Sequence, residues 1–365
     1  PSYRYFTQSG AITYGTSEMI IDKLFYIVTI ILFFIAPVFS FAEKKPDWVD
    51  GRSISYPERQ YLIGVGYGDT REIAEKDAYA AISRIFSANV SSISRDYERY
   101  SQVKAMDKTD TQEKMEIERL TKVTTDKILE NVAIAETWYD SEQKVYYSLA
   151  IIDRAKAGNS LKEKIRSLDS QIEEMVKKSK NTIDKIQKLR NLKGAIKNQI
   201  QREVYNADLR VINLSGKGID SSISLTELNN ELDNFLKNDL AVSVKVTGER
   251  GNEVKTAITE GLNKQGFSIA KKGQAEDVIV KGEVEFSEAY IHNPEFKFVR
   301  WTANFKLVDK STGKVIGSIN TSGKEGHITI EEAKERASRK LREEITDEIS
   351  KRLVEFIYGK GEEIK

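Results

Sequence analysis

The feature that most constrains the fold of this sequence is a stripe of apolar residues that recurs every three or four positions between residues 161 and 200. Its first half consists of Leu161, Ile165, Leu168, Ile172 and Met175. After a polar break at 179–182 it continues through Ile183, Ile186, Leu189, Ile196 and Ile200. This heptad-like spacing is typical of helices that pack through one face. It predicts a helical hairpin or coiled coil over residues 156–206, with its bend near 178–182. One continuous helix is the alternative.

The predicted hairpin is basic, although the chain as a whole has a net charge of only +1. Between Arg154 and Glu203 there are 14 Lys and Arg residues against 6 Asp and Glu residues. A basic arm of this kind could meet anionic lipid, wall polymer or an acidic partner. We favour a solvated helix face, because the charges are interspersed and no aromatic residue lies near them. The near-neutral whole chain argues against a nucleic-acid partner.

An uncharged apolar run occupies residues 24–42, shortly after the first methionine, Met19. Small residues precede Glu43, so cleavage between Ala42 and Glu43 is expected, with residues 19–42 as a signal peptide. The alternative is an uncleaved membrane anchor, which would give the protein its membrane contact. Residues 1–18 are interpreted as an upstream extension of a mis-assigned start. Both interpretations place residues 46–365 outside the cytoplasm, in the periplasm or associated with the envelope.

The sequence contains few residues that could carry out catalysis or bind a metal. The chain has no Cys, which excludes disulfides, thiol catalysis, Cys-ligated zinc and acylation of a lipoprotein cysteine. Its two His residues are far apart, so no metal site is expected. The run Gly64-x-Gly66-x-Gly68 has Asp69 where a dinucleotide loop needs its third glycine, so no cofactor is expected either. No catalytic motif is found, and we expect a protein that is not an enzyme.

Residues 46–155 are predicted to form a first small domain. A strand over 61–68 ends in glycines, and a helix with an alanine-rich face follows it. Two more strands are expected at about 128–138 and at 145–153. The charged residues 100–125 are interpreted as a helical or mobile insertion.

The pattern of this first domain resembles a known family. The residues that carry the resemblance are Gly64, Gly66, Ala74, Ala78, Ala81, Trp138, Tyr146, Tyr147, Leu149, Asp153 and Arg154. They are similar to the lipoprotein-20-like family of bacterial envelope proteins, which in turn resembles the N-terminal domain of the flagellar assembly protein T. The resemblance implies a small α/β module, often associated with the outer membrane, with no catalytic residues. Because the chain lacks the acylated Cys, direct acylation is excluded, and without an uncleaved N-terminal anchor any membrane attachment must be indirect.

Residues 207–360 are predicted to form a second domain, followed by a tail at 361–365. A strand is expected over Asp208–Leu214, and Ser224 with Glu227 forms a possible capping box. Residues 241–358 follow in the order β-α-β-β-β-β-α. This order is similar to the penicillin-binding-protein activator B and curli-secretion lipoprotein group, and the resemblance implies an α/β sandwich that binds protein partners.

The sequence therefore predicts an α/β (α+β) protein. Two small sheet-and-helix domains are joined by the helical hairpin and preceded by a signal or anchor segment. The predicted function is that of a non-enzymatic exported envelope protein, an assembly or accessory factor that binds another envelope protein at the outer membrane or flagellar base. Three alternatives stay open: a regulator of a peptidoglycan synthase, a structural periplasmic protein that forms homo-oligomers through residues 156–206, and an unrecognised hydrolase.

Overall fold

The computed structural model describes residues 44–86, 131–271, 273–290 and 295–359. The predictions about residues 1–18, the segment 19–42, the cleavage site at Ala42 and Glu43, the insertion at 100–125 and the tail at 361–365 lie outside these ranges. The described residues from Asp47 onward form one compact unit. They contain two sheets and a mixture of long and short helices, which confirms the predicted α/β (α+β) class.

The first sheet has three antiparallel strands in the order β1-β3-β2. They are β1 (Tyr61–Gly68), β2 (Ala133–Asp140) and β3 (Val145–Asp153). The helix α1 occupies residues 71–86 and covers one face of this sheet. A single 3-10 turn at Asp47–Asp50 brings Trp48 against the other face. The strand and helix order matches the sequence prediction.

Two 28-residue helices follow, and they form the predicted hairpin rather than one continuous helix. They are α2 (Arg154–Asn181) and α3 (Lys185–Ile212). The side chains of Asp153 and Asp184 cap their N-termini by accepting backbone N–H bonds. The open end of the hairpin, where α2 begins and α3 ends, packs against Ala78 and Ile82 of α1 and Ala150 of β3. The end with the bend packs into the larger C-terminal core.

Two details of the sequence prediction, one in the second domain and one in the hairpin, are wrong. Asp208–Leu214 is not a strand, because α3 continues to Ile212 and crosses the predicted boundary at 206/207. Tyr205, Leu209 and Ile212 keep helical spacing and are buried together. The apolar pattern of this short segment fits a strand and a helix equally, and the packing selects the helix. Ile183 does not belong to the buried stripe, since it sits in the bend with 98% of its surface exposed.

The rest of the stripe is covered within the chain. Ile165 and Ile172, the residues that would mediate self-association, are fully buried. A homo-oligomer through residues 156–206 stays a prediction, and it would have to use a different surface. The interpretation as a coiled coil and the division into domains also stay predictions.

The C-terminal part begins with α4 (Leu225–Asn234), where Ser224 and Glu227 form the predicted capping box. A π-helical turn (Phe235–Asp239) leads into the second sheet, whose strand order is β5-β4-β6-β7-β8. The strands are β4 (Ala241–Gly248), β5 (Ser268–Ile269), β6 (Val278–Ala289), β7 (Lys297–Asp309) and β8 (Val315–His327). The helices are α5 (Gly251–Lys264), α6 (Ile330–Glu344) and, after a π-helical turn (Ile345–Ile349), α7 (Ser350–Ile357).

This part reproduces the predicted order β-α-β-β-β-β-α. Strand β4 runs parallel to β5 and β6, whereas β6, β7 and β8 are antiparallel neighbours. The tight turn between β7 and β8 contains Gly313 with φ +69°, the left-handed conformation that a glycine adopts most easily. Helices α5 to α7 cover one face of the sheet, and the opposite face carries polar residues in solvent.

Candidate interaction site

The first candidate is the three-stranded sheet, whose two faces differ sharply. On one face, Gly64 and Gly66 of β1 lie directly under α1. A Cβ atom on Gly66 would stand 2.0 Å from the Ala78 backbone nitrogen and 2.4 Å from the Ala74 carbonyl oxygen. The glycines therefore serve close packing of strand and helix. The N-terminus of α1 is closed by Thr70, whose Oγ1 accepts the Ile73 N–H at 3.3 Å.

The opposite face of the sheet is aromatic. Trp48 and Trp138 are buried against Leu149, and the Trp48 indole N–H donates to a carboxylate oxygen of Glu136 at 2.6 Å. The Tyr147 ring lies 5.6 Å from the Trp138 ring and 6.5 Å from the Tyr67 ring, measured between centroids. We call Tyr67, Trp138 and Tyr147, together with the half-buried Ile63 and Val65, the aromatic face.

The aromatic face is only partly covered. Tyr67 keeps 65% of its surface exposed, and Tyr147, Ile63 and Val65 are half-buried. Tyrosine and tryptophan are enriched at protein interfaces, because they bury a large area with few rotatable bonds and keep a polar end. The arrangement is therefore suited to binding a protein surface.

The sequence of this first part of the chain also matches a protein-family model. Residues 46–153 match the protein-family model described as LPP20 lipoprotein, which is less than a third of the chain. We refer to the region that matches this model, residues 46–153, as the LPP20 domain. The comparison with curated proteins finds no match.

Solved structures show weaker likeness. The secreted protein HP1454 from Helicobacter pylori is 15% identical, with a TM-score of 0.39, over 80% of this chain and 98% of that chain. A minor lipoprotein from Acinetobacter baumannii is 13% identical, with a TM-score of 0.26, over 33% of this chain and 91% of that chain. The rare lipoprotein B from Shewanella oneidensis is 12% identical, with a TM-score of 0.24, over 33% and 94%. At these TM-scores the likenesses carry no functional inference.

The predicted motif residues other than the two glycines, Asp153 and Arg154 lie on α1 and on the two faces of the sheet. On α1, Ala74 and Ala78 are fully buried against the sheet, while Ala81 is half-buried. Tyr146 faces the α1 side and packs against the tilted ring of Tyr139, with 4.6 Å between ring centroids. Trp138, Tyr147 and Leu149 contribute to the opposite, aromatic side. The prediction missed Trp48 and Tyr67, although Tyr67 alternates with the glycines along β1 and therefore had to face away from α1.

Asp153 and Arg154 connect the LPP20 domain to the hairpin. The Asp153 carboxylate accepts the Lys156 N–H at 2.9 Å and caps α2. The Arg154 guanidinium donates to the carbonyl of Glu58 at 2.9 Å and to those of Val211 and Ile212 at 3.0 and 2.7 Å. The last two carbonyls belong to the C-terminal end of α3, which has no intrahelical donors for them. Arg154 thereby ties the start of α2 to the end of α3.

We expect Arg154→Met to lower the free energy of unfolding by about 2–3 kcal/mol, because three carbonyls lose a charged donor. The measurement is urea unfolding of the full chain. Arg84→Met is the matched control: Arg84 lies 3.6 Å from Asp77 in an exposed ion pair, and its loss should cost less than about 0.5 kcal/mol. Equal stability of the two variants would contradict the bridging role.

A second candidate site is an open groove of about 540 Å³ between α5 and α6. Its lining includes Glu253, Glu260, Arg339, Arg342 and Glu343. Glu253 accepts the Ser338 hydroxyl at 3.1 Å and lies 3.6 Å from Arg342. This carboxylate is therefore held in a polar contact between two helices, and that contact explains its position without a catalytic role.

The third candidate is a buried carboxyl group on α3. Both oxygens of Asp208 are inaccessible to solvent and have no hydrogen-bond partner among the described residues. Burial raises the pKa of Asp208 to about 7, although the Lys164 ammonium acts in the opposite direction. By contrast, the equally buried Arg202 is neutralised by Asp169 at 3.0 Å and Glu203 at 2.8 Å. The sequence prediction missed Asp208, which it placed in a strand.

Within the described ranges, no group of three or more His, Asp or Glu side chains is placed to hold a metal ion. His327 is half-buried at the end of β8, and His292 lies outside those ranges. None of the helices in the described part of the chain has the length and hydropathy that a membrane crossing requires.

Proposed function

We propose that this chain is an exported, non-enzymatic cell-envelope protein that acts as an assembly or accessory factor. In this proposal the aromatic face of the LPP20 domain binds another envelope protein of an outer-membrane or flagellar-base assembly. The LPP20 lipoprotein match and the apolar run at 24–42 support the location. The observation that carries the binding role is the partly exposed aromatic face, with Tyr67 at its most accessible end.

The first experiment identifies the partner. Crosslinking in intact cells, capture of the tagged chain and mass spectrometry should recover one envelope protein reproducibly. Its identity decides between a flagellar-base, a wall-synthesis and another envelope assembly. Recovery of this chain alone would contradict the accessory role and favour self-association.

The second experiment tests the aromatic face on that partner. We expect Tyr67→Thr to reduce the captured partner by about tenfold or more, as truncation of an aromatic interface anchor does. Threonine keeps the strand propensity of the position, so β1 should remain folded.

Tyr139→Thr is the matched control. Tyr139 is also a strand tyrosine whose ring packs against that of a tyrosine of β3, and 44% of its surface is exposed, but it lies on the opposite side of the sheet. Capture by this variant should stay within about twofold of the original level. Equal loss in both variants, or no loss in Tyr67→Thr, would rule out the aromatic face as the binding surface.

A further inference from the structure

The exposed face of the five-stranded sheet carries a row of three lysines on adjacent strands. In the strand register Lys245 of β4 is opposite Lys281 of β6, and Lys281 is opposite Lys306 of β7. The row continues into β8 with Ser318, which is opposite Lys306. All four side chains are exposed, whereas Val244, Val280 and Leu307, which precede or follow them along the strands, are buried on the other face.

This row is unfavourable for the protein by itself. Neighbouring strands lie about 4.8 Å apart, and like charges directly opposite each other destabilise a sheet. Lys245 is compensated by Glu276 at 2.9 Å. Among the described residues, neither Lys281 nor Lys306 forms an ion pair. Lysines on an edge strand protect it from pairing with other chains, but β6 and β7 are inner strands, so that explanation does not apply.

Two glutamates beside the lysine row, on the same face of β6, limit what the lysines can bind. Two residues further along β6, Glu283 is exposed opposite Asn304, and Glu285 follows opposite Thr302. A broad anionic surface such as a bilayer would bring its charges against both glutamates. A narrow acidic ligand that crosses the strands can follow the lysine row and avoid them.

The spacing of the row favours one kind of acidic ligand. Residues one turn apart on a helix have Cβ atoms about 5–6 Å apart, close to the strand separation of about 4.8 Å. Same-face residues of an extended peptide are about 6.6–6.8 Å apart and lose register with the row after one step. We propose that the row formed by Lys245, Lys281, Lys306 and Ser318 binds the acidic stripe of a helix from a partner protein. This surface is separate from the aromatic face and does not depend on it.

The probe for this proposal is an alanine-based peptide of about 20 residues with glutamate at every fourth position, checked for helicity by circular dichroism. Binding of the labelled peptide to the full chain is followed by fluorescence anisotropy at low ionic strength. We expect Lys281→Gln with Lys306→Gln to weaken binding about tenfold and also to raise the melting temperature, because the same change removes a like-charge contact. A purely structural role for the lysines does not predict this combination.

The control removes the same two charges elsewhere. Lys177 and Lys180 are exposed near the end of α2, and Lys177→Gln with Lys180→Gln should change the affinity less than about twofold without raising the melting temperature. Equal weakening by both pairs would replace the proposal with general electrostatic attraction. Equal binding of a peptide with glutamine in place of glutamate, or no binding of the glutamate peptide, would overturn it. Preferential binding to phosphatidylglycerol vesicles, lost in the Lys281/Lys306 variant, would identify a lipid surface instead.

Discussion

Replacing Gly66 with alanine is expected to destabilise the LPP20 domain by about 3 kcal/mol or more. The added Cβ would lie 2.0 Å from the Ala78 nitrogen and 2.4 Å from the Ala74 oxygen. Both are backbone atoms of α1, so no side-chain rotation can relieve the overlap, and the helix must move off the sheet. That movement would open the core formed by Ala78, Ile82 and Ala150.

The control for this change is another alanine substitution of a glycine. Gly158 lies within α2, and a Cβ there would meet only the Ile212 Cγ2 atom, at 3.4 Å. Gly158→Ala should raise the free energy of unfolding by about 0.5–1 kcal/mol, because alanine is the better helix former and loses less chain entropy on folding. Urea unfolding of both variants gives the comparison. If Gly66→Ala is as stable as the original chain, β1 and α1 do not approach each other as closely as described.

Asp208→Asn is expected to stabilise the protein at pH 8 by up to about 4 kcal/mol and to have little effect at pH 4. Asp208 has an ordinary pKa of 3.8, which burial raises to about 7 in the folded chain. Between these values the folded state holds a proton that the unfolded state has released. The stability of the original chain should therefore fall as the pH rises from about 4 to 7, and this contribution levels off above pH 8. Asparagine removes the charge and keeps the shape.

The measurement is chemical unfolding at a series of pH values. Asp220→Asn serves as the control, because Asp220 is exposed, and its curve should run parallel to that of the original chain. If the difference between Asp208→Asn and the original chain does not grow with pH, the carboxyl group has a partner or solvent contact that the described residues do not provide. The same result would leave the proposed function unaffected, since Asp208 lies outside the aromatic face.

Local patterns in the sequence predicted helices and strands well where the spacing of the apolar residues fits only one of the two. The stripe from Leu161 to Met175 has no reading other than a helix, and the strand-forming run at 145–153 became β3. The prediction of a strand at Asp208–Leu214 was wrong. The segment has only seven residues, and its apolar positions 209, 211, 212 and 214 fit both a strand and a helix. Only the packing of Leu209 and Ile212 against the LPP20 domain selects the helix.

The candidate binding surfaces were much less predictable. Tyr67 and Trp138 come from strands that do not pair with each other, and β3 between them brings both against Tyr147. Lys245, Lys281 and Lys306 are ordinary surface lysines in the sequence, and they become neighbours only through the register of three strands. A shift of one residue in that register would turn Lys281 toward the core.

The sequence by itself determined the class of fold, the polar break between the two halves of the apolar stripe, the capping box of Ser224 and Glu227 and the glycines at the end of β1. These features depend on side-chain periodicity and backbone conformation within a few residues, which a linear pattern records directly. The tertiary structure alone decided the end of α3, the orphaned carboxyl of Asp208, the aromatic face and the lysine row. Each of these depends on which distant residues pack or pair together, and many different pairings are compatible with the same local pattern.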